Sequence, residues 1–208
     1  IENENHAKWQ GKEIAAFTAP RPGHADLTGA VKYGYSDLRP ALERASARET
    51  AACVAIGALC KSLLANFAMQ IGGYVCSITE VEARVEGMEL VERLRIAESN
   101  EVRCPDVQAA EEMRSRIRQA VDARDTLGGT IEVVALGVPV GLGSFSQWDK
   151  RLEARLGAAL LSIPAIKGVE IGEAFANSRL PGTQAHDAIQ LNGKALQRPS
   201  NRAGGIEG

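Results

Sequence analysis

The sequence predicts an α+β fold, because three segments carry clear helix or strand patterns. An apolar run without proline follows Ser46, and a second run after Asp106 places apolar residues at helical spacing. Residues 130–143, "TIEVVALGVPVGLG", are rich in β-branched residues and bounded by glycines. Apolar spacing near 3.6 residues indicates helices, and short β-branched runs indicate strands. Helices and strands are therefore expected together in this chain.

The first long helix is predicted over roughly residues 47–65. Ser46 is followed three residues later by Glu49, a capping box that marks Ser46 as the N-cap. The apolar residues that follow cover most of the helix circumference. A helix that is apolar all round is typical of a buried position. We therefore expect this helix in the core, with Cys53 and Cys60 as buried thiols.

The other elements follow from their own local signals. Asp106, directly after Pro105, is placed to cap an amphipathic helix. The remaining predictions are an irregular segment at 18–46, a strand with a glycine break at 68–85, a short polar helix at about 88–98, the strand at 130–143, a helix at 146–163, a strand at 165–175 and an exposed loop at 176–200. Long irregular segments such as 18–46 are usually functional or disordered.

The composition of the chain excludes several classes of partner. Its 208 residues are 45% hydrophobic and 24% charged, with a formal net charge of −2. No basic face suggests nucleic acid, and no apolar run approaches the roughly 18 residues of a membrane span. The four cysteines lack metal-ligand spacing, so neither a metal site nor a disulfide is expected, and the expected location is the reducing cytoplasm.

The two ends of the sequence favour an internal piece of a longer protein. The chain begins with Ile1 rather than methionine and stops within the glycine-rich stretch "NRAGGIEG". We therefore expect residues 1–208 to form a single core domain of a longer chain.

Two arginines flank the start of the first long helix. Arg44 and Arg48 lie on either side of Ser46. Exposed N–H groups and the positive end of the helix dipole favour anions, and guanidinium groups add two-pronged donors for phosphate or carboxylate. The alternative is that Ser46 only caps the helix, Glu49 pairs locally and the arginines are solvated. The local pattern leaves both interpretations open.

Six sequence segments, taken together and in their order along the chain, favour the interpretation of an anion-binding site. They are "RPGHAD" (21–26), "KYGYSD" (32–37), "RASARETA" (44–51), "GVPVGLG" (137–143), "AIKGVEIG" (165–172) and "NRAGGIEG" (201–208). Together they resemble the chorismate synthase family over essentially the whole chain. The resemblance implies a truncated β-α-β sandwich, in which central helices pack between antiparallel sheets.

The resemblance also implies an activity. Chorismate synthase is a lyase of the shikimate pathway and aromatic amino acid biosynthesis. It performs the anti-1,4 elimination of phosphate from 5-enolpyruvylshikimate 3-phosphate to give chorismate, and it requires reduced FMN although no net oxidation occurs. A cytoplasmic homotetramer is implied, without nucleic-acid or membrane partners. The family is also associated with NADP, and the sequence leaves open whether the chain itself reduces the flavin.

The resemblance assigns roles to individual residues. His24 matches the family histidine that protonates the reduced flavin, which suits a side chain that exchanges protons near neutral pH. Arg21 and Arg48 match substrate-binding arginines. The residues that match flavin contacts are Arg44, Ala45, Ser46, Pro164, Ala165 and Gly208. Asp26 either orients His24 or caps a turn.

Some family motifs are missing from the sequence. An upstream "GESHG" histidine motif, a "KPxxT"-like flavin segment and an "R-x-D-P" motif do not occur. We therefore expect the isolated chain to be inactive and to bind FMN poorly. One alternative is a non-catalytic, folded and oligomerising core that binds neither flavin nor substrate well. Another is a general anion- or nucleotide-binding module built on the helix N-terminus.

Overall fold

The computed structural model describes residues 10–193 and 195–207. The chain divides into two compact units. The first unit comprises Ile1–Gly57 and Val140–Gly208, and the second comprises Ala58–Pro139. Each unit is described by itself.

The helices and strands occur in successive groups along the chain. The helices are α1 Asp26–Tyr33, α2 Arg39–Arg44, α3 Glu49–Ala65, α4 Leu90–Ala97, α5 Val107–Ala123, α6 Leu152–Leu161, α7 Ala174–Asn177 and α8 Gly182–Ala185, with a 3-10 turn at Trp148–Lys150. The strands are β1 Gln70–Ile78, β2 Val81–Glu82, β3 Gly129–Leu136, β4 Gln190–Asn192 and β5 Ala195–Gln197. All their strand pairs are antiparallel, which confirms the predicted α+β class. Among the described residues, none of the helices is long and apolar enough to cross a membrane.

The second unit is built on a three-stranded sheet in the order β2-β1-β3. Tyr74 of β1 faces Glu132 of β3, and Gly72 faces Val134. One apolar cluster on this sheet is Tyr74, Leu94 and Ala97, with 2%, 4% and 0% of their surface exposed. Gly72 makes room for Leu94, because a Cβ there would lie 2.6 Å from a methyl group of Leu94 and would force that side chain to shift. The cluster holds α4 on the sheet.

A buried hydrogen-bond network accompanies this cluster. The Tyr74 hydroxyl donates to Glu132 at 2.5 Å and accepts from Arg93 at 2.9 Å. Arg93 also donates to the backbone oxygens of Met88 and Val85. Burial and the bond to Glu132 raise the pKa of Tyr74 to about 12. Buried polar groups are stable when they are paired in this way.

The helix predicted after Asp106 is confirmed. The Asp106 carboxylate accepts from the backbone N–H groups of Gln108 and Ala109 at 3.0 and 3.1 Å, which is an N-cap. Its apolar face enters the second core, where Ala110 and Met113 are 1% and 0% exposed. Local spacing was sufficient to predict the start of α5 and the burial of Ala110 and Met113, whereas Ile117 and Val121, at the same helical spacing, are 37% and 68% exposed.

Residues 18–46 are not the irregular segment that the sequence suggested. They contain α1 and α2, and that prediction was wrong. Gly34 ends α1 in a left-handed conformation with φ of 68°, and Pro40 lies in the first turn of α2, where its missing N–H costs little. Glycine and proline therefore mark helix ends here. Gly29 packs against Ala41, because a Cβ on Gly29 would lie 2.6 Å from that of Ala41.

The prediction that the first long helix is buried was also wrong. None of the residues of α3 is buried among the described residues, and Ile56 and Leu59 are 62% and 73% exposed. Cys53 and Cys60 are exposed free thiols rather than core thiols. An apolar composition favours burial of a helix, whereas its actual burial depends on which other elements pack against it.

The structure also differs from the predicted elements after residue 164. The strand predicted at 165–175 was wrong, because the structure has no strand in this range and α7 begins at Ala174. Ala165 and Gly172 have positive φ values of 70° and 60°, outside the β region. The predicted loop at 176–200 contains the β4–β5 hairpin, in which Leu191 pairs with Leu196.

Candidate functional site

The loop that carries His24 is closed by an ion pair between its two ends. Asp26 accepts from Arg21 three times, from the backbone N–H at 3.0 Å, from Nε at 2.8 Å and from Nη2 at 3.0 Å. Asp26 is fully buried, and its bonds to the Arg21 side chain and backbone lower its pKa to about 2. Asp26 therefore closes the turn rather than hydrogen-bonding to His24. Among the described residues, Nη1 of Arg21 has no partner and is available to bind another group.

His24 projects from this closed loop. Its Nδ1 lies 2.8 Å from the backbone oxygen of Pro22, and the side chain is exposed. A carbonyl oxygen can only accept, so Nδ1 carries the hydrogen in this contact. Nε2 is then the nitrogen that is open to exchange a proton with a ligand.

The junction between α2 and α3 differs from the predicted capping box. The Ser46 hydroxyl accepts from the backbone N–H of Arg48 at 3.3 Å, whereas the N–H of Glu49 donates to the Ser46 backbone oxygen at 3.1 Å. The Glu49 carboxylate pairs with Arg44 instead of returning to the Ser46 amide. The capping box was wrong because Arg44 is a stronger partner for that carboxylate than a neutral amide.

The three arginines predicted at the site differ in whether their side chains are paired. Arg21 is paired with Asp26, and Arg44 is paired with Glu49. The exposed Arg48 side chain has no ion pair or hydrogen bond among the described residues. Arg48 therefore has all its guanidinium donors available for an anion, and local pairing of Glu49 is confirmed.

The His24 loop and the Arg44–Arg48 junction belong to the same compact unit. His24 lies five residues before Gly29, and Ser46 lies five residues after Ala41. The close approach of Gly29 to Ala41 joins α1 to α2. The packing of these two helices therefore ties both motifs to one local scaffold.

Ala165 has a strained backbone. Its φ of 70° lies in the left-handed region, which costs a residue with a side chain about 1–3 kcal/mol. The turn is closed by a bond from the Ile166 N–H to the Ile163 oxygen at 3.2 Å. Strain of this kind persists where the surrounding structure requires it, often at binding sites. Four other non-glycine residues of the described chain also have positive φ values, so the backbone contact at Pro164 and Ala165 stays a prediction.

Two of the recognised motifs, 165–172 and 201–208, meet in the first unit. The Glu173 N–H donates to the Arg202 oxygen at 2.7 Å. A Cβ on Gly172 would lie 2.2 Å from that same oxygen, so only glycine permits this approach. Gly208, the last of the predicted flavin contacts, lies outside the described residues.

Asp187 is a residue that the sequence analysis missed. It is 8% exposed, and it accepts from Ser200 Oγ at 2.5 Å and from the N–H groups of Arg202 and Ala203 at 2.8 and 2.9 Å. The Ala203 N–H, the Ser200 hydroxyl and the Arg202 N–H lower the pKa of Asp187 to about 2. A single acid within a polar loop gave no signal of this role in the sequence.

A surface cavity of about 420 Å³ in the second unit contains none of the predicted site residues. Its lining residues are Glu98, Ser99, Asn100, Glu101, Arg114 and Arg118. Carboxylates and guanidinium groups are mixed there, so the cavity favours neither sign of ligand. Among the described residues, no cluster of three or more His, Cys, Asp or Glu could hold a metal ion.

Comparison with known proteins gives consistent matches over the whole chain. The family model described as chorismate synthase matches residues 1–208. The chain is 52% identical over 193 residues to a chorismate synthase of Sulfurihydrogenibium sp. (strain YO3AOP1), covering 91% of this chain and 50% of that protein. It is 47% identical over 218 aligned positions to a chorismate synthase of Syntrophotalea carbinolica, covering 100% of this chain and 56% of that protein.

A solved structure matches as well. The structure described as "Crystal Structure of Chorismate Synthase" is 45% identical in sequence, with a TM-score of 0.83, over 88% of this chain and 58% of that chain. The predicted chorismate synthase-like α+β fold is therefore confirmed. The chain spans about half the length of the curated relatives it matches. On the family match and these identities, the chain belongs to the chorismate synthase family.

Proposed function

We propose that the protein containing this chain is a chorismate synthase that eliminates phosphate from 5-enolpyruvylshikimate 3-phosphate to form chorismate. Membership of the family supports this assignment. The observation that carries it is the orientation of His24, whose Nδ1 donates to the Pro22 oxygen while Nε2 has no partner in the part of the chain that the structure describes. Nε2 of His24 is therefore available for proton transfer, and the ion pair between Arg21 and Asp26 closes the loop that carries it.

The arginines of the first unit fit anionic ligands. Arg48 has a guanidinium without a partner among the described residues, and Arg21 retains Nη1 after its two side-chain bonds to Asp26. The substrate carries a phosphate and two carboxylates, and FMN carries a further phosphate. Guanidinium groups bind such groups through paired donors. Arg21 and Arg48 would hold the substrate.

The residues present also fit reduced FMN. Arg44, Ala45 and Ser46 would contact it at the start of α3, and the strained turn at Pro164 and Ala165 would present backbone groups to it. Reduced FMN, held there, would supply the electron density that the elimination requires. His24 would hold or deliver a proton at Nε2, facing this cofactor.

We further propose that residues 1–208 are the core domain of a longer chain that assembles as a cytoplasmic homotetramer. The relatives are about twice as long as this chain, which supports the first part of the proposal. The isolated chain would then be inactive and would bind FMN poorly. The exposed apolar side chains of α3 also favour a longer, assembled protein, because these side chains are in contact with water in the isolated chain.

The test is chorismate formation by the longer protein under anaerobic conditions, with FMN and a chemical reductant. We expect turnover, and His24→Ala should lower kcat by about 10²-fold or more, because a positioned general acid typically contributes that much. The matched control is His186→Ala, which removes another exposed imidazole. Lack of turnover by the unmodified protein, or an equal loss in both variants, would contradict the proposal.

A further inference from the structure

We propose that Asp187 is a positioning residue that fixes the backbone of the glycine loop, residues 201–207, for flavin binding. The structural half of this inference, a fixed loop, stands on the contacts of Asp187 alone. The link to flavin rests on the proposed function and on the flavin contact that the family resemblance implies for Gly208, at the end of this loop.

One buried carboxylate gathers donors from three residues of the loop and its approach. Oδ1 accepts from Ser200 Oγ at 2.5 Å and from the Arg202 N–H at 2.8 Å, and Oδ2 accepts from the Ala203 N–H at 2.9 Å. Asp187 lies 13 to 16 residues before these donors in the sequence. The contacts therefore close a long segment onto one side chain and use both of its oxygens.

The glycine loop is also held from the opposite side. The Arg202 oxygen accepts from the Glu173 N–H at 2.7 Å and from Asn177 Nδ2 at 3.1 Å. Arg202 thus has its N–H bound to Asp187 and its oxygen bound at the start and end of α7. This residue is clamped at both backbone groups, so the direction of the loop is set at Arg202 and Ala203.

The residues after the clamp turn sharply and remain open. Gly204 and Gly205 have positive φ values of 63° and 74°, a conformation that glycine adopts without strain. The Gly205 N–H has no partner among the described residues, although the neighbouring amides of Gly204 and Ile206 bond back to Asn201 and Ala203. An unpaired amide on a fixed turn is a donor for an anionic or polar ligand group.

The charge of Asp187 is necessary for this role. A carboxylate presents only acceptors, whereas an asparagine of the same shape presents one oxygen and one NH₂ group. In Asp187→Asn, that NH₂ group must face one of the donors of Ser200, Arg202 or Ala203. The variant therefore keeps the volume of the side chain and breaks the clamp.

The first measurement is hydrogen exchange of the longer protein in the absence of flavin, which separates loop positioning from function. In Asp187→Asn, we expect the amides of Arg202 and Ala203 to exchange about tenfold faster or more, with β1 and β3 unchanged, since local opening is limited to the released segment. Asp149→Asn, which alters an exposed aspartate of the same unit, should leave these amides unchanged. Ser200→Ala removes one donor and should give a smaller increase, so a folded variant remains if Asp187→Asn does not fold.

The second measurement is FMN affinity against kcat. Asp187→Asn should raise the Kd for FMN by about tenfold, which is the loss of one or two good contacts, and leave kcat at saturating FMN nearly unchanged. Unchanged exchange at Arg202 and Ala203, or faster exchange throughout the unit, would overturn the positioning role. Faster loop exchange with unchanged FMN affinity would overturn its link to flavin. If the unmodified protein fails to bind FMN, the proposed function is lost, and the exchange result alone decides the positioning role.

Discussion

Asp26 and Asp187 are buried carboxylates that each close a loop by accepting several hydrogen bonds. Asp26 binds Arg21 three times, and Asp187 binds Ser200, Arg202 and Ala203. Charge-assisted bonds to backbone and guanidinium donors are stronger than neutral ones. Single carboxylates therefore set the shape of loops that lack regular structure, including the loop that presents His24.

The closed loops imply a dependence of stability on acid pH. The pKa of Asp26 is lowered to about 2 by the Arg21 side chain and backbone, and an unfolded aspartate titrates near 3.9. Between about pH 4 and 2 the unfolded chain binds more protons, so stability is fully present above that window and falls as the pH falls through it. Asp26→Asn should reduce the slope of the melting temperature against pH in this window.

Thermal unfolding from pH 2 to 6 measures this effect. Asp149→Asn is the control, and it should keep the slope of the unmodified protein. Asp37 and Asp187 also have pKa values of about 2 and remain in every variant, so the slope should decrease rather than vanish. An Asp26→Asn profile that overlays the unmodified profile would show that the bond to Arg21 does not stabilise the fold.

At the scale of secondary-structure elements, α4 packs closely on the sheet because Gly72 has no side chain and leaves space for Leu94. A Cβ there would lie 2.6 and 2.7 Å from the two terminal methyl groups of Leu94, which is 4% exposed. Gly72→Ala should lower the free energy of unfolding by about 1–3 kcal/mol, because overpacking a closed core forces strain on its neighbours. Urea denaturation measures the change.

Gly128→Ala is a suitable control, since a Cβ at Gly128 has no atom within 4 Å. Adding Leu94→Ala to Gly72→Ala should cost less than the sum of the two single changes, because the shortened side chain makes room for the new methyl group. Strict additivity of the two changes would argue against the contact as the cause.

Elements with a complete local signal could be predicted from the sequence. Asp106 and the apolar spacing after it are sufficient for α5, because the cap and the buried face both lie within the helix. The helices α1 and α2 were missed because Gly34 and Pro40 serve there as helix ends. The strand predicted at 165–175 failed because a positive φ at Ala165 cannot be read from an alanine.

The same limit applies to the candidate site. The motif residues His24, Arg21 and Arg48 could be named from the sequence because they lie in short distinctive segments. Asp187 could not be named, because its partners lie 13 to 16 residues away and are mostly backbone groups. Local pairing of Glu49 was one of two interpretations that the sequence left open, but its partner Arg44 was expected to be solvated. Contacts between segments distant in sequence require the fold.

At the scale of the whole molecule, the chain consists of two compact units and spans about half the length of the curated relatives it matches. The predicted site residues that the structure describes all lie in the unit formed by Ile1–Gly57 and Val140–Gly208. The second unit contributes a sheet with two apolar clusters. Our account therefore assigns ligand contacts to the first unit and expects the isolated chain to lack activity.

The most direct test is a crystal structure of the longer protein with FMN and 5-enolpyruvylshikimate 3-phosphate bound. Our account predicts that Nε2 of His24 and the guanidinium of Arg48 face one cavity, each within about 3 Å of a ligand atom. A structure in which these two side chains face separate surfaces, or in which the ligands bind away from both, would contradict the account.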